Sequence, residues 1–213
     1  MKIFKLFLLL IIVFSEFAYA QNDLIEGKSI TEVYEIKGIS QTDIFKRINN
    51  WFSSEENAAN DKISLANEED GHIEVEGITK VLFRNIGTEL YPKRSGMAEV
   101  LEAKFNYLIT IDIVENQYMV NYTLIDMIKE MYGQEEAFFN CINFVEIDEK
   151  ALEEYNEAME KVFKRNFVFK NKRQVFFDNS KSQFEEVSSY VLNEAQVKMF
   201  NLHEALMSGR TED

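Results

Sequence analysis

Two histidines, one cysteine and many carboxylates are the side chains with which this chain could do chemistry, and their spacing narrows the options. His203-Glu204 has the opening of a zinc-protease helix, in which a second histidine four residues on completes one metal-binding face. Position 207 is Met207, so that face stops at one ligand. His203 then reads as a residue on the polar face of a helix, and His72, following the turn residue Gly71, as a strand-edge side chain. Two histidines are too few for a His-rich metal site, and one cysteine cannot close an internal disulfide. Cys141, between Phe139 and Ile142, reads as a buried unreactive thiol. There is no G-x-S-x-G elbow, phosphate-binding loop or dinucleotide fingerprint, so the sequence assigns no catalytic residue, cofactor or metal. Glu68, Glu69 and Asp70 cluster at a hairpin tip and Asp126 ends a strand. A glycosidase needs two such acids facing each other in a cleft, and the simpler reading is a solvated acidic surface. The tip also lacks the spaced oxygen ligands of a calcium loop.

One stretch runs against the acidic trend. Lys161, Lys164, Arg165, Lys170, Lys172 and Arg173 fall within residues 161–177 with no acid among them, and Phe163, Phe167, Phe169, Phe176 and Phe177 are interleaved. Such a stretch is a candidate contact for an anionic partner, such as a phospholipid headgroup, an acidic glycan or an acidic protein patch. The competing reading is a helix end matched to its dipole, followed by basic residues folded against the acidic remainder.

The elements that must position these residues are legible from periodicity. Residues 30–36 predict a first strand stopped by Gly38. Ser40 caps a helix with Asp43 at its third position, and Ile44, Phe45, Ile48, Trp51 and Phe52 form its apolar stripe. Residues 62–76 predict a hairpin turning at Asp70-Gly71, with a bulge or bend where the alternation slips at Gly77-Ile78. Residues 84–100, with Gly87, Gly96 and the lone Pro92, read as a long loop. Strict alternation from Leu101 to Ile113 predicts a strand with one wet face, and Tyr118, Val120, Tyr122 and Leu124 its antiparallel partner after Glu115-Asn116. Asp148 caps a helix running to Arg165. Phe167–Phe169 and Val175–Phe177 suggest a small hairpin. A last helix, Gln183 to Met207, starts at a Ser182/Glu185 capping box. At about 37 Å it is longer than a small sheet is wide, so part of it is expected to pack outside its own domain.

The chain has 213 residues, with 23 Lys and Arg against 37 Asp and Glu, a net charge of −14. That balance argues against a nucleic-acid partner, whose phosphates must be neutralised by cations. Residues 1–20 carry Lys2 and Lys5, an apolar run from Leu6 to Phe14 and the small-x-small Ala18-Tyr19-Ala20, the pattern of a secretory signal. The apolar run, about nine residues, is well short of the roughly 20 that span a bilayer. Cleavage there would remove Lys2, Lys5 and Glu16 and take the charge from −14 to −15. The expectation is a soluble protein of the periplasm or the cell exterior, with no transmembrane span in the mature chain.

The order strand, helix, hairpin, long loop, hairpin resembles a family of exported bacterial domains of unknown function with a TBP-like fold. The resemblance rests on YEIKGISQTDIFKRINNWF at 34–52, GHIEVEG at 71–77 and KFNYLITIDIVENQYMVNYTLIDM at 104–127. It implies an α+β fold, a curved antiparallel sheet with helices packed on one face, to which this chain adds a C-terminal helical extension. It carries over no catalytic residue. The chain departs from the family pattern in its second hairpin, which lacks a turn glycine and a basic residue in the returning strand. TATA-binding protein grips DNA with a basic concave sheet; a chain at −15 lacks that charge, and fold does not carry function.

These readings divide the chain into a signal (1–20), a polar lead-in (21–29), a TBP-like α+β domain (30–127), a second helix with a small hairpin (128–179) and a C-terminal helix and tail (180–213). The function expected first is a non-enzymatic interaction module in the cell envelope, with residues 22–127 holding at least part of their fold without 161–208. Two alternatives stand beside it. One is a small-ligand binder using the sheet face and the 84–100 loop, and the other a hydrolase with a carboxylate pair.

Overall fold

The computed structural model describes residues 24–128, apart from 92 and 94, and residues 134–208. The signal read at 1–20 lies outside the described residues, as does the end of the tail from 209. Alternating apolar positions build six strands: β1 Leu24–Glu26, β2 Ser29–Glu35, β3 Asp61–Asn67, β4 His72–Arg84, β5 Val100–Val114 and β6 Gln117–Met127. They pair antiparallel in one sheet of order β1-β2-β6-β5-β4-β3. The alternation places Phe105, Tyr107, Ile109, Ile111 and Ile113 of β5, and Tyr118, Val120, Tyr122 and Leu124 of β6, on one buried face. At the β5–β6 turn Asn116 takes the left-handed conformation at φ 61. Asparagine tolerates that region, and its Oδ1 also accepts a 2.8 Å hydrogen bond from the Gly38 amide.

Two details differ from the sequence reading. The lead-in is not free of structure: β1 turns back at Gly27 and pairs with β2. The bulge expected at Gly77-Ile78 is absent. β4 pairs with β5 residue for residue, and the register shifts lie elsewhere, in β3 between Ile63 and Leu65 and in the β5–β6 pair at Asn106 and Tyr107. Gly77 and Thr79 hold inward positions in unbroken phase with Val75 and Val81. The apparent slip arose because Gly77 leaves room for the Tyr107 ring, which a Cβ there would strike.

The helices are α1 Gln41–Ser53, α2 Glu55–Ala58, α3 Ile86–Leu90, α4 Glu135–Cys141, α5 Glu149–Arg165 and α6 Lys170–Ser208. Ser40 and Asp148 cap α1 and α5 as their sequences predict, each accepting from backbone amides of the first turn. Ile44, Phe45, Ile48 and Phe52 of α1 are buried against the sheet. The 84–100 stretch is not a plain loop, since it contains α3, capped by Asn85.

The largest correction concerns residues 167–182. No small hairpin forms there, and the Ser182/Glu185 box is not a helix start, because α6 begins at Lys170 and runs 39 residues, about 58 Å at 1.5 Å per residue. Its buried stripe is Phe176, Ser180, Gln183, Phe184, Val187, Ser188, Val191, Ala195, Met199, Leu202 and Leu206. Three polar residues lie in that stripe, and Ser180 and Gln183 mask its first turns in a hydrophobicity reading. Each is satisfied: Ser180 Oγ donates to Phe177 O (2.9 Å), Gln183 Nε2 to Arg84 O (2.7 Å), and Ser188 Oγ accepts from Asn143 N (3.1 Å). The helix touches β4, on one side of the β6–β5 pair, and β2, on the other, so it crosses the sheet. Its length is used on its own domain rather than outside it. The result is an antiparallel sheet with helices on one face and the other face open.

Candidate functional site

The basic aromatic stretch lies at the tip where α5 gives way to α6. Asn166 ends α5, and the chain reverses through two bonds, Phe167 N to Lys164 O (3.2 Å) and Val168 N to Phe163 O (2.9 Å). This crossed pair requires a left-handed residue after the cap, a place glycine usually takes. Here it is Phe167, at φ 57. Its ring is 90% exposed, and that of Phe169 73%. Phe163, Phe176 and Phe177 turn inward instead, with Phe163 and Phe176 edge to face at 4.9 Å.

The six cations of the stretch do not form one patch. Arg173 is largely buried and pairs with Glu160 (3.1 Å), to which Lys164 also reaches (3.2 Å). Lys172 Nζ sits 3.5 Å over the Tyr91 ring, a cation–π contact that ties α6 to the segment after α3. Lys161, Arg165 and Lys170 are exposed and make no ion pair among the described residues. The tip thus presents three uncommitted cations and two exposed phenylalanines, with Lys164 beside them.

On the helix face of the sheet the structure gathers groups that sequence spacing did not connect. Asp61, 4% exposed, accepts from the Tyr107 hydroxyl and from Lys198 Nζ at 2.6 Å. Tyr107 stacks on Tyr122 at 4.7 Å. Burial, first, and then the Asp61 carboxylate hold both phenols well above their ordinary pKa. Towards the other edge, Glu32 accepts from the Tyr34 hydroxyl, Tyr34 stacks on His203 at 4.5 Å, and Tyr118 and His203 Nδ1 are 3.1 Å apart. His203 is therefore packed against the sheet, not on a polar helix face, and burial lowers its pKa. His72 stands on the open sheet face inside a paired strand rather than at an edge. It bonds Asp112 (2.7 Å) and Glu74 (3.3 Å), and its pKa is raised chiefly by the Asp112 bond. Cys141 is fully buried, and burial pushes its thiol up to about 12.

Residues 31–127 match a family described as a domain of unknown function (DUF4468) with TBP-like fold. The match spans a little under half of the chain. A TBP-like protein from Parabacteroides distasonis ATCC 8503 superposes with a TM-score of 0.48 at 14% identity, covering 85% of this chain and 93% of its own. A DUF4468 family protein from Bacteroides ovatus ATCC 8483 gives 0.38 at 22% identity, covering 51% and 61%. No curated protein matches the chain. The matched residues take in β2 to β6 and α1 to α3, while the α5–α6 tip lies beyond them.

The geometry also bears on the alternative sites. Glu32 on β2 and Asp61 on β3 are the buried carboxylates among the described residues. Four strand spacings separate their strands, about 19 Å at roughly 4.8 Å each, far beyond the roughly 5–9.5 Å between glycosidase acids. Glu68, Glu69 and Asp70 are exposed at the β3–β4 turn, and Asp126 is exposed and bonded to Asn106 Nδ2 (2.6 Å). Within the 84–100 segment, α3 packs against α6 on the helix side of the sheet. No helix among the described residues is long and apolar enough to cross a membrane.

Proposed function

We propose that this chain is a non-enzymatic, exported interaction module of the cell envelope, and that its α5–α6 tip docks on an anionic phospholipid surface. The observation that carries this is Phe167. A bulky residue occupies a backbone place that glycine fills without strain, and its ring faces solvent. Strain held at an exposed aromatic buys nothing within the fold, which points outward for its use. Phe167 and Phe169 suit the headgroup boundary, where aromatic rings bury apolar area, and Lys161, Arg165 and Lys170 suit anionic headgroups at about 1 kcal/mol each. The overall charge of −14 opposes such docking only locally. At physiological salt the Debye length is about 8 Å, so acids farther than that from the surface are largely screened. The export part of the reading rests on the pattern at residues 1–20.

Vesicle flotation of the chain lacking residues 1–20 tests the proposal. Vesicles containing phosphatidylglycerol should carry the protein, and pure phosphatidylcholine should not. Phe167→Gly relieves the left-handed strain, so its fold should hold or gain on the order of 1 kcal/mol. Together with Phe169→Ser, it should abolish flotation. Wild-type flotation by that double variant, or equal binding to both vesicle types, would sink the reading.

A further inference from the structure

Between α6 and the β4–β5–β6 part of the sheet lies a cleft of about 250 Å3, lined by the polar side chains of Asn60, Thr79, Lys80, Tyr107, Tyr122, Glu194 and Lys198 and by Ile78. Tyr122 is 1% exposed, and among the described residues its hydroxyl interacts with Thr79 without reaching full hydrogen-bond geometry. A buried hydroxyl so weakly bonded is costly, and here it lines a cavity that could supply a better partner. The groups around it keep spare capacity. Lys198 gives one of its three N–H donors to Asp61, and the two Asp61 oxygens each retain a lone pair beyond the bonds from Tyr107 and Lys198. Gly77 makes the arrangement possible, because any side chain there would push Tyr107 off Asp61.

We propose that this cleft binds a small, neutral, polyhydroxylated molecule. The charges around it cancel, Lys80 and Lys198 against Asp61 and Glu194, so it offers no net field to hold an ion. Its wall alternates donors and acceptors, and a hydroxyl serves both, accepting from Tyr122 or Lys198 while donating to Glu194. Its volume is below the roughly 300 Å3 at which drug-sized pockets begin, which limits the ligand to a few hydroxyl-bearing carbons. The site is separate from the α5–α6 tip and does not depend on the lipid reading.

The test is a titration of the whole chain, labelled with 13C at the tyrosine ring, with myo-inositol, glycine and sodium acetate as neutral, zwitterionic and anionic probes. Myo-inositol should shift the Tyr122 resonance saturably, that resonance being identified by its loss in Tyr122→Phe. Tyr122→Phe deletes only that weakly bonded hydroxyl, so its melting temperature should hold, while inositol affinity, followed on Tyr107, falls at least about tenfold. Phe167→Gly should leave the response intact. A stronger response to glycine or acetate overturns the ligand class. No inositol response, or undiminished binding by Tyr122→Phe, overturns the site.

Discussion

Phe167 and Gly77 are opposite solutions to a local steric demand. At Phe167 the backbone needs the freedom of glycine and the chain places a large exposed ring there; at Gly77 the backbone is ordinary and the missing side chain is the point. The added methyl of Gly77→Ala would meet Tyr107 and the Asp61 carboxylate together, so repacking has no easy direction. Overpacking of this kind costs about 1–3 kcal/mol, and urea denaturation of Gly77→Ala should show a loss in that range with the denaturant slope unchanged. Neither Asp61 nor Glu32 was singled out from sequence, because partners such as Tyr107 and Lys198 are 46 and 137 residues from Asp61 along the chain. A signal was nonetheless present. Glu32 lies in phase with Ile30, Tyr34 and Ile36, and Asp61 in phase with Ile63, so strand alternation alone puts both carboxylates on the inner face. A charged residue in a buried phase is a polar network waiting to be found. His203 was misplaced for the converse reason. A polar residue was taken to mean a polar face, whereas its ring stacks on Tyr34 and its nitrogen meets Tyr118.

Among the elements, those with uninterrupted periodicity were legible almost to the residue. α1 and α5 have their caps where Ser40 and Asp148 announce them, and β5 follows its alternation from end to end. The first turns of α6 were not legible, because Ser180 and Gln183 occupy the stripe and because short runs such as Phe167–Phe169 and Val175–Phe177 look the same for strand and helix. The correction changes what α6 does. Phe184, Val187, Val191, Ala195, Met199, Leu202 and Leu206 are all at 1% exposure or below, packed over the helix side of the sheet. Large buried side chains are each worth about 1.5–3 kcal/mol, so together this stripe is comparable to the roughly 5–15 kcal/mol of net stability of a typical domain. A chain ending at residue 169 should therefore not keep the sheet folded. Its far-ultraviolet spectrum and limited proteolysis should report an unfolded or collapsed species without a cooperative melt. A cooperative melt would mean that the sheet holds its fold without α6.

For the whole molecule, the two histidines pull stability in opposite directions with pH. Burial lowers the pKa of His203, so the unfolded chain takes up that proton first, near the ordinary 6.5, and stability falls as pH drops below it. The Asp112 bond raises the pKa of His72, so its contribution is full below about 6.5 and is lost as pH rises through the raised folded value. Melting temperatures between about pH 5 and 8 should separate the two: His72→Gln steepens the loss on acidification, and His203→Phe, which keeps the stack on Tyr34, makes it shallower. The sign of the net charge was legible at the start, and so was the sheet-and-helix core. How the charge is deployed was not, since three of the six cations of the basic stretch are engaged by Glu160 and Tyr91. The crossing of the sheet by α6 also fixes an order of events in time. β2 finds its cover only when His203, 169 residues later than Tyr34, arrives to stack on it. A chain emerging from the ribosome therefore has its sheet sequence complete long before it has the helix that closes it, and contacts this distant form late. The growing chain stays open until α6 has been made, the condition in which a polypeptide can still be threaded, captured by a chaperone or degraded.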